Sequence, residues 1–392
     1  MEKSFWILCI THMFLEVFFF IPVALIPVFI RDFQISVLEA SLLATAPSLA
    51  QLLMYIPSGF LADKFDIKRL LFASMMIEGV LALIVSQTTH FWALVLGISV
   101  MRISSPIYHI SGLSHISKLI NQDQMNRSMG FHNSLGSLGS AIGSLSLAFF
   151  LSTLDWRWTY IFWTVPIITW GVIMLKASRF EIKEVEKKEV RKRGRLTRLS
   201  LVLSAGFLTY LAVIAIMLVG FIMISTFMTT YLVETRGLPE DTSSLIFGLA
   251  PLMGIAGSLH GGYLGEKIGA KKALSLDILG SAVSLFILVL SSQIYLLVIV
   301  YISYALFANS VWSPINTIVA DVTPVTERGL SFSVYLFADA LMFSTAPTLA
   351  AVVIESSNIW YIFPCSIGFL LASIIMLQFL HYSRSGHMHA HL

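Results

Sequence analysis

Twelve apolar runs, each long enough to cross a hydrocarbon layer, constrain this chain more than any motif within it. A spanning helix needs about 20 apolar residues. The runs fall at 5–30, 38–61, 69–88, 91–117, 128–151 and 157–176, then at 200–232, 243–264, 273–291, 294–320, 330–354 and 358–381. Inside a bilayer the backbone finds no water to bond, so such segments are helical. The expected fold class is all-α integral membrane, with twelve transmembrane helices in two six-helix bundles. Composition agrees: 57% of the 392 residues are hydrophobic and 12% are charged, against about 25% charged in soluble proteins. The first run begins like a signal sequence but carries His12 and Glu16 and lacks a small-residue cleavage pattern, so it reads as a retained helix.

One long polar interval divides the runs. Lys176 to Arg198 holds ten Lys or Arg against four Glu, a composition that stays on the cytoplasmic side of a membrane. The chain thus reads as an N-terminal bundle over 1–176, a basic cytoplasmic linker over 177–199, a C-terminal bundle over 200–381 and a His-containing tail over 382–392. With twelve spans both termini share a side. That side carries 21 of the 25 Lys and Arg, while the other carries only Arg31, Arg157 and Arg236 against seven acids. Both termini are therefore expected in the cytoplasm, with the protein in the cytoplasmic membrane. A net charge of +3 is small for this length and topology explains the basic residues, so nucleic acid is not an expected partner. Cys9 and Cys365 lie in opposite terminal helices, which suits neither a disulfide framework nor a cysteine metal site.

The two halves also repeat in sequence. Ser58 to Leu71, SGFLADKFDIKRLL, matches Gly261 to Leu274, GGYLGEKIGAKKAL, at an offset of 203 residues, and each copy joins the second and third helices of its half. Gly59 falls on Gly262, Asp63 on Glu266, Lys64 on Lys267 and Lys68 on Lys271, with Arg69 and Gly269 completing the two loops. A glycine near a helix end permits close backbone approach, and an acid beside basic residues can pair with a neighbouring helix end. These loops resemble the loop motif of the major facilitator superfamily, with Asp66 standing where the second copy keeps Gly269. The resemblance implies two pseudo-symmetric bundles around a central cavity, the first, fourth, seventh and tenth helices lining it, and transport by rocking of the halves about a midplane site. It also implies that the repeated loops act as cytoplasmic gates.

Two further stretches resemble the fosmidomycin-resistance-type branch of that superfamily. One is His12 to Val28, HMFLEVFFFIPVALIPV. The other combines Tyr108-His109, Gly112-Leu113 and Ser117 with Arg127, Gly130, His132 and Asn133; Ile110 replaces a proline of the branch pattern, and Arg102-Ile-Ser-Ser-Pro106 stands where the branch is glycine-rich. His12 and Glu16, spaced i to i+4, share one face of the first helix, and Arg102 and His109, spaced i to i+7, share one face of the fourth. Charges at the bilayer centre cost about 2.5–3.5 kcal/mol on insertion scales and tend to be paired and functional. Two readings stand: Glu16 and Arg102 form a structural ion pair, or Glu16, His12, Arg102 and His109 couple transport to protons. Asp339 in the eleventh helix is a second candidate carboxylate, the alternative being that it docks on the basic end of the 59–69 loop.

Tyr108, Tyr301, Tyr304, Asn309, Trp312 and Asn316 supply aromatic faces and amides suited to a substrate cavity, or else to helix packing. Gly136, Gly139 and Gly143 serve close helix contact and resemble a glycine-rich antiporter motif, with Ser144 in place of its proline. His115, six residues after His109 on a helix, points about 240° further round, so the two do not suit one ion; neither a metal nor another cofactor is expected, and the tail histidines read as a solvated end. With no ATP-binding loop, the expectation is a monomeric, non-enzymatic secondary transporter in contact with lipid, moving a small organic solute by proton-coupled efflux. The alternatives are proton-coupled uptake of a small organic anion or metabolite, and a non-transporting sensor.

Overall fold

The computed structural model describes residues 3–120, 122–177, 204–322 and 328–379, with side chains at all of these except 63, 117, 118, 122–127, 320, 328–330 and 333. Most of the basic linker, the tail and the side chains of Asp63, Ser117 and Arg127 lie outside the described set. Among the described residues, twelve helices are long and apolar enough to span a membrane. They are α1 Lys3–Ala24, α2 Val37–Ala62, α3 Ile67–Ser86, α4 Phe91–Ile116, α5 Ser128–Thr153, α6 Arg157–Lys176, α7 Ala205–Thr235, α8 Glu240–Ile268, α9 Ala270–Leu290, α10 Ile294–Val319, α11 Val334–Ser356 and α12 Ile359–Gln378. The protein is a multi-pass, all-α membrane protein.

Three of these spans are interrupted, each beside a proline that cannot supply the i to i−4 hydrogen bond. In α1 the helix stops at Glu16, resumes at Ile21–Ala24 and continues as Ile26–Phe33, with Pro22 and Pro27 at the restarts. The single helix expected over 5–30 is thus three pieces. Pro27 has no N–H for the Val23 carbonyl, to which the Thr229 hydroxyl donates at 3.3 Å. In α4 the break falls at Arg102 and Ile103, between Phe91–Met101 and Ser104–Leu119, because Pro106 cannot bond the Arg102 carbonyl. Pro314 has the same relation to the Ser310 carbonyl at the break in α10, between Ile294–Ser310 and Trp312–Val322. The fourth helix of each half is therefore discontinuous, a device that exposes backbone groups where membrane carriers hold ligands.

The repeated loops show why their copies differ. Asp66 caps the start of α3, its side chain accepting from the Lys68 amide at 2.8 Å, whereas Gly269 begins α9 with a φ of 90° that a side chain would strain. Each solves the same turn, one by a capping acceptor and one by the absence of Cβ. Lys271 donates to the Gln378 carbonyl at 3.2 Å and Lys267 to the Tyr263 hydroxyl at 3.2 Å. Lys64 lies over the Phe65 ring.

Contacts divide the chain into two compact units. The first comprises Met1–Glu186, Ser225–Ile255 and Phe343–Trp360, and the second Lys187–Ile224, Ala256–Met342 and Tyr361–Leu392. In the first, α1 packs on α5, α3 on α6, and α2 on α4. Its segments from the second half of the sequence attach at the face poor in Lys and Arg. There Arg31 pairs with Glu240 and, at 2.8 Å, with Asp32. The Leu38 amide bonds Glu355 at 2.8 Å, and the Thr45 and Thr348 hydroxyls meet at 2.9 Å. The hydrogen bonds that Arg31 donates to Glu240 and Asp32 raise its already high pKa, although so exposed a pair adds little stability. In the second unit, α9 packs on α10 and α12.

The seam between α1 and α5 has no room for side chains. A Cβ at Gly139 would overlap the Met13 carbonyl, one at Gly143 the Val17 carbonyl, and one at Gly136 the His12 ring. Gly139→Ala and Gly143→Ala are each expected to destabilise the protein by about 1–3 kcal/mol through overpacking, read as a lower melting temperature in detergent. Gly59→Ala, where nothing lies within 4 Å, is expected to be neutral or mildly stabilising. Equal effects at all three positions would contradict the close-packed seam.

Candidate functional site

The break after Glu16 and the break at Arg102 bring the ionisable residues of α1 and α4 together inside the first unit. His12 Nε2 lies 3.2 Å from His109 Nε2, and Glu16 Oε1 lies 3.6 Å from the first and 3.8 Å from the second. Each imidazole is oriented through its other nitrogen. His12 Nδ1 is 3.0 Å from the His132 carbonyl and His109 Nδ1 is 2.9 Å from the Ser105 carbonyl. A carbonyl only accepts, so both rings carry hydrogen on Nδ1 and, when neutral, present lone pairs at Nε2. Two nitrogen lone pairs and a carboxylate then face one another with no donor among them. Such a triangle repels itself unless a cation occupies it.

The surrounding shell holds this geometry. Tyr108 donates to the Leu8 carbonyl at 2.7 Å and so accepts from His132 Nε2 at 3.0 Å, tying α4, α1 and α5 together. The His132 ring stacks on that of His12 with centroids 4.1 Å apart. Only Gly136 leaves room for that imidazole. Buried polar networks of this kind fix one arrangement when every member is satisfied.

Arg102 stands beside the triangle but is not bound to it. It is 6% exposed, donates to Gln51 Oε1 at 3.2 Å and rests on the Phe19 ring at 4.5 Å. Among the described residues no carboxylate lies within ion-pair distance of it, so the structural Glu16–Arg102 pair weighed from sequence is absent. Its guanidinium is a buried cation supported by an amide and an aromatic face. The helix Ser104–Leu119 begins two residues later, adding a helix N-terminus to the local positive field.

The other coupling and cavity residues singled out from sequence belong to the second unit. Asp339 is half-buried in the second unit, its Oδ1 without a hydrogen-bond partner. Tyr301 and Tyr304 are buried there and stack at 6.1 Å, and the Asn309 amide is turned onto the Ala305 carbonyl at 2.8 Å. Trp312 is half-buried and Asn316 is exposed.

Two buried acids were not foreseen. Glu78 of α3 is hydrogen-bonded to Ser104 at the α4 break. Asp277 of α9 is fully buried, with His260 Nδ1 3.5 Å from Oδ1 and the same nitrogen 3.0 Å from Ser310 at the α10 break. Each half thus sets an acid of its third helix against the discontinuity of its fourth. The repeat offset of 203 carries Ser74 onto Asp277 and Glu78 onto Ser281, one helical turn out of step, and that near-coincidence was the available signal.

The sequence model of the family described as Major Facilitator Superfamily matches residues 8–264 and 238–388. Two relatives carry the name probable nitrate transporter NarT. The one from Staphylococcus haemolyticus is 22% identical over 276 residues, covering 70% of each chain. The one from Staphylococcus epidermidis is 21% identical over 281 residues, covering 70% of this chain and 69% of the relative. Among solved structures, a bacterial homologue of the human lysosomal transporter Spinster, inward-facing and occupied, superposes with a TM-score of 0.81 at 13% identity over 96% of each chain. The nucleoside transporter NupG superposes with a TM-score of 0.80 at 12% identity, over 97% of this chain and all of that one. At such identities the likeness speaks for the fold alone.

Proposed function

Because the chain belongs to the Major Facilitator Superfamily of membrane transporters, we propose that it carries a small anion by alternating access, coupled to protons held at His12, Glu16 and His109. The observation that carries this reading is Arg102, a buried cation with no carboxylate at ion-pair distance among the described residues. A charge of that kind in a membrane core is costly and is kept where a ligand answers it. Guanidinium suits planar, delocalised anions such as nitrate or a carboxylate, which it binds through two parallel hydrogen bonds. The names of the two nitrate-transporter relatives support the same class of substrate.

Linkage gives the direction. Ionised Glu16 competes electrostatically with an anion for Arg102, and protonated Glu16 does not, so proton and anion favour each other's binding. Mutual favouring is the coupling of a symporter, whereas antiport needs the two to exclude one another. Uptake of a small anion is therefore preferred to drug efflux. The α5 glycines, which resemble an antiporter motif, find their use in packing on α1.

The charge asymmetry supports an orientation with both termini cytoplasmic. The convergence of His12, Tyr108, His109 and His132 supports placing it in the fosmidomycin-resistance-type branch. The test is accumulation of labelled nitrate, formate or acetate in proteoliposomes under an imposed pH gradient, which is expected to collapse on adding a protonophore. Movement of cationic amphipathic drugs with no anion flux would overturn the reading.

A further inference from the structure

We propose that His12, Glu16 and His109 form a binding site for a divalent transition-metal ion of the zinc class. The assignment of the site stands apart from the transport reading, and only its consequence for transport rests on that reading. The donor set is two imidazole nitrogens and one carboxylate oxygen, all within 4.8 Å of one another. Donors about 2.0–2.2 Å from one tetrahedral ion stand roughly 3.3–3.6 Å apart. The three edges here are 3.2, 3.6 and 3.8 Å, so one ion can meet all three with little movement and keep a fourth position open.

The shell around the donors is the kind that metal-ligating histidines have. Each ring's Nδ1 hydrogen is committed to a backbone carbonyl, that of His132 for His12 and that of Ser105 for His109. This fixes the tautomer with Nε2 free and aims it at the ion. His12 is further clamped by the His132 stack and by Gly136. The i to i+4 pair on α1 supplies two donors from one helical face, and His109 supplies the third from α4. Nitrogen donors select zinc, cobalt, nickel or copper over sodium, magnesium or calcium, which prefer oxygen. The backbone adds to the attraction, since the first piece of α1 ends at Glu16 and a helix C-terminus carries partial negative charge.

On one helix His109 and His115 point apart and do not suit one ion. The fold instead delivers His109 to a second helix, where the objection does not apply. An ion seated there would tie α1 to α4 and exclude the coupling proton, arresting accumulation.

The test uses the purified full-length protein with His387, His389 and His391 replaced by alanine, titrated with Co2+ and then Zn2+. The expected result is one equivalent of Co2+ with the strong visible absorption of a four-coordinate ion, displaced by Zn2+, and a rise in melting temperature with Zn2+. His109→Ala, at a half-exposed position, is expected to weaken Co2+ binding about a hundredfold and to cancel the melting shift, while its own melting temperature reports that it is folded. Absence of the absorption in the parent, or equal binding by parent and His109→Ala, would overturn the site. Flux separates the two ideas. If Co2+ binds as expected and Glu16→Gln still accumulates anion normally, the transport reading fails and the metal site stands. If Glu16→Gln stops accumulation but no Co2+ absorption appears, the metal site fails and the transport reading stands.

Discussion

Replacing Glu16 by glutamine is expected to abolish proton-driven accumulation of the anion while leaving anion binding and anion-for-anion exchange measurable. Glutamine keeps the volume of the carboxyl and cannot release a proton, so the site is held in the equivalent of its protonated state. Its amide can also donate toward the two Nε2 lone pairs, which lie 3.6 and 3.8 Å from Glu16 Oε1. Net uphill transport needs the site to change protonation between the two openings, whereas exchange needs only the loaded carrier to interconvert. Accumulation, exchange and equilibrium binding measured on the same preparation check the prediction. Normal gradient-driven uptake by the variant would make Glu16 structural, and Asp339 the next carboxylate to replace.

Arg102→Ala is expected to weaken anion binding by roughly 10- to 150-fold, the equivalent of losing charge-assisted hydrogen bonds worth about 1.5–3 kcal/mol. Arg102→Lys is expected to recover part of the affinity, because it restores charge without the planar fork. The melting temperature distinguishes this role from a structural one. A buried cation without an anionic partner costs stability, so its removal leaves the folded state unharmed or firmer. A clear fall in melting temperature with no change in affinity would return Arg102 to the scaffold.

Much of this was legible because membrane folding leaves a periodic record. The twelve spans follow from run length, and the meeting of His12 with Glu16 follows from helical spacing on a single element. Arg102, by contrast, falls in the α4 break and so does not share a continuous helix with His109. What spacing cannot give is which face of one helix meets another. The stack of His132 on His12 depends on how closely the glycine seam lets α5 approach, and the bond from Tyr108 to Leu8 and the meeting of His109 with Glu16 depend on how α4 packs on α1. The broken helices were half legible: Pro22, Pro27, Pro106 and Pro314 were visible, but a proline in a span can kink the helix or interrupt it, and tertiary contacts decide. Asp66 looked like a departure from the loop pattern and is instead a helix cap doing the work of Gly269.

The same glycine seam sets an order of events during synthesis. α1 leaves the ribosome well before the surface it fits, α5, which follows roughly 100 residues later, a delay of several seconds at ordinary elongation rates. Through that interval His12 and Glu16 have neither His109 nor the His132 carbonyl beside them, and they sit in a span whose insertion they disfavour. The N-terminal helix must therefore be kept in a polar or protein-lined environment, or remain loosely inserted, until the fifth span arrives to seat it.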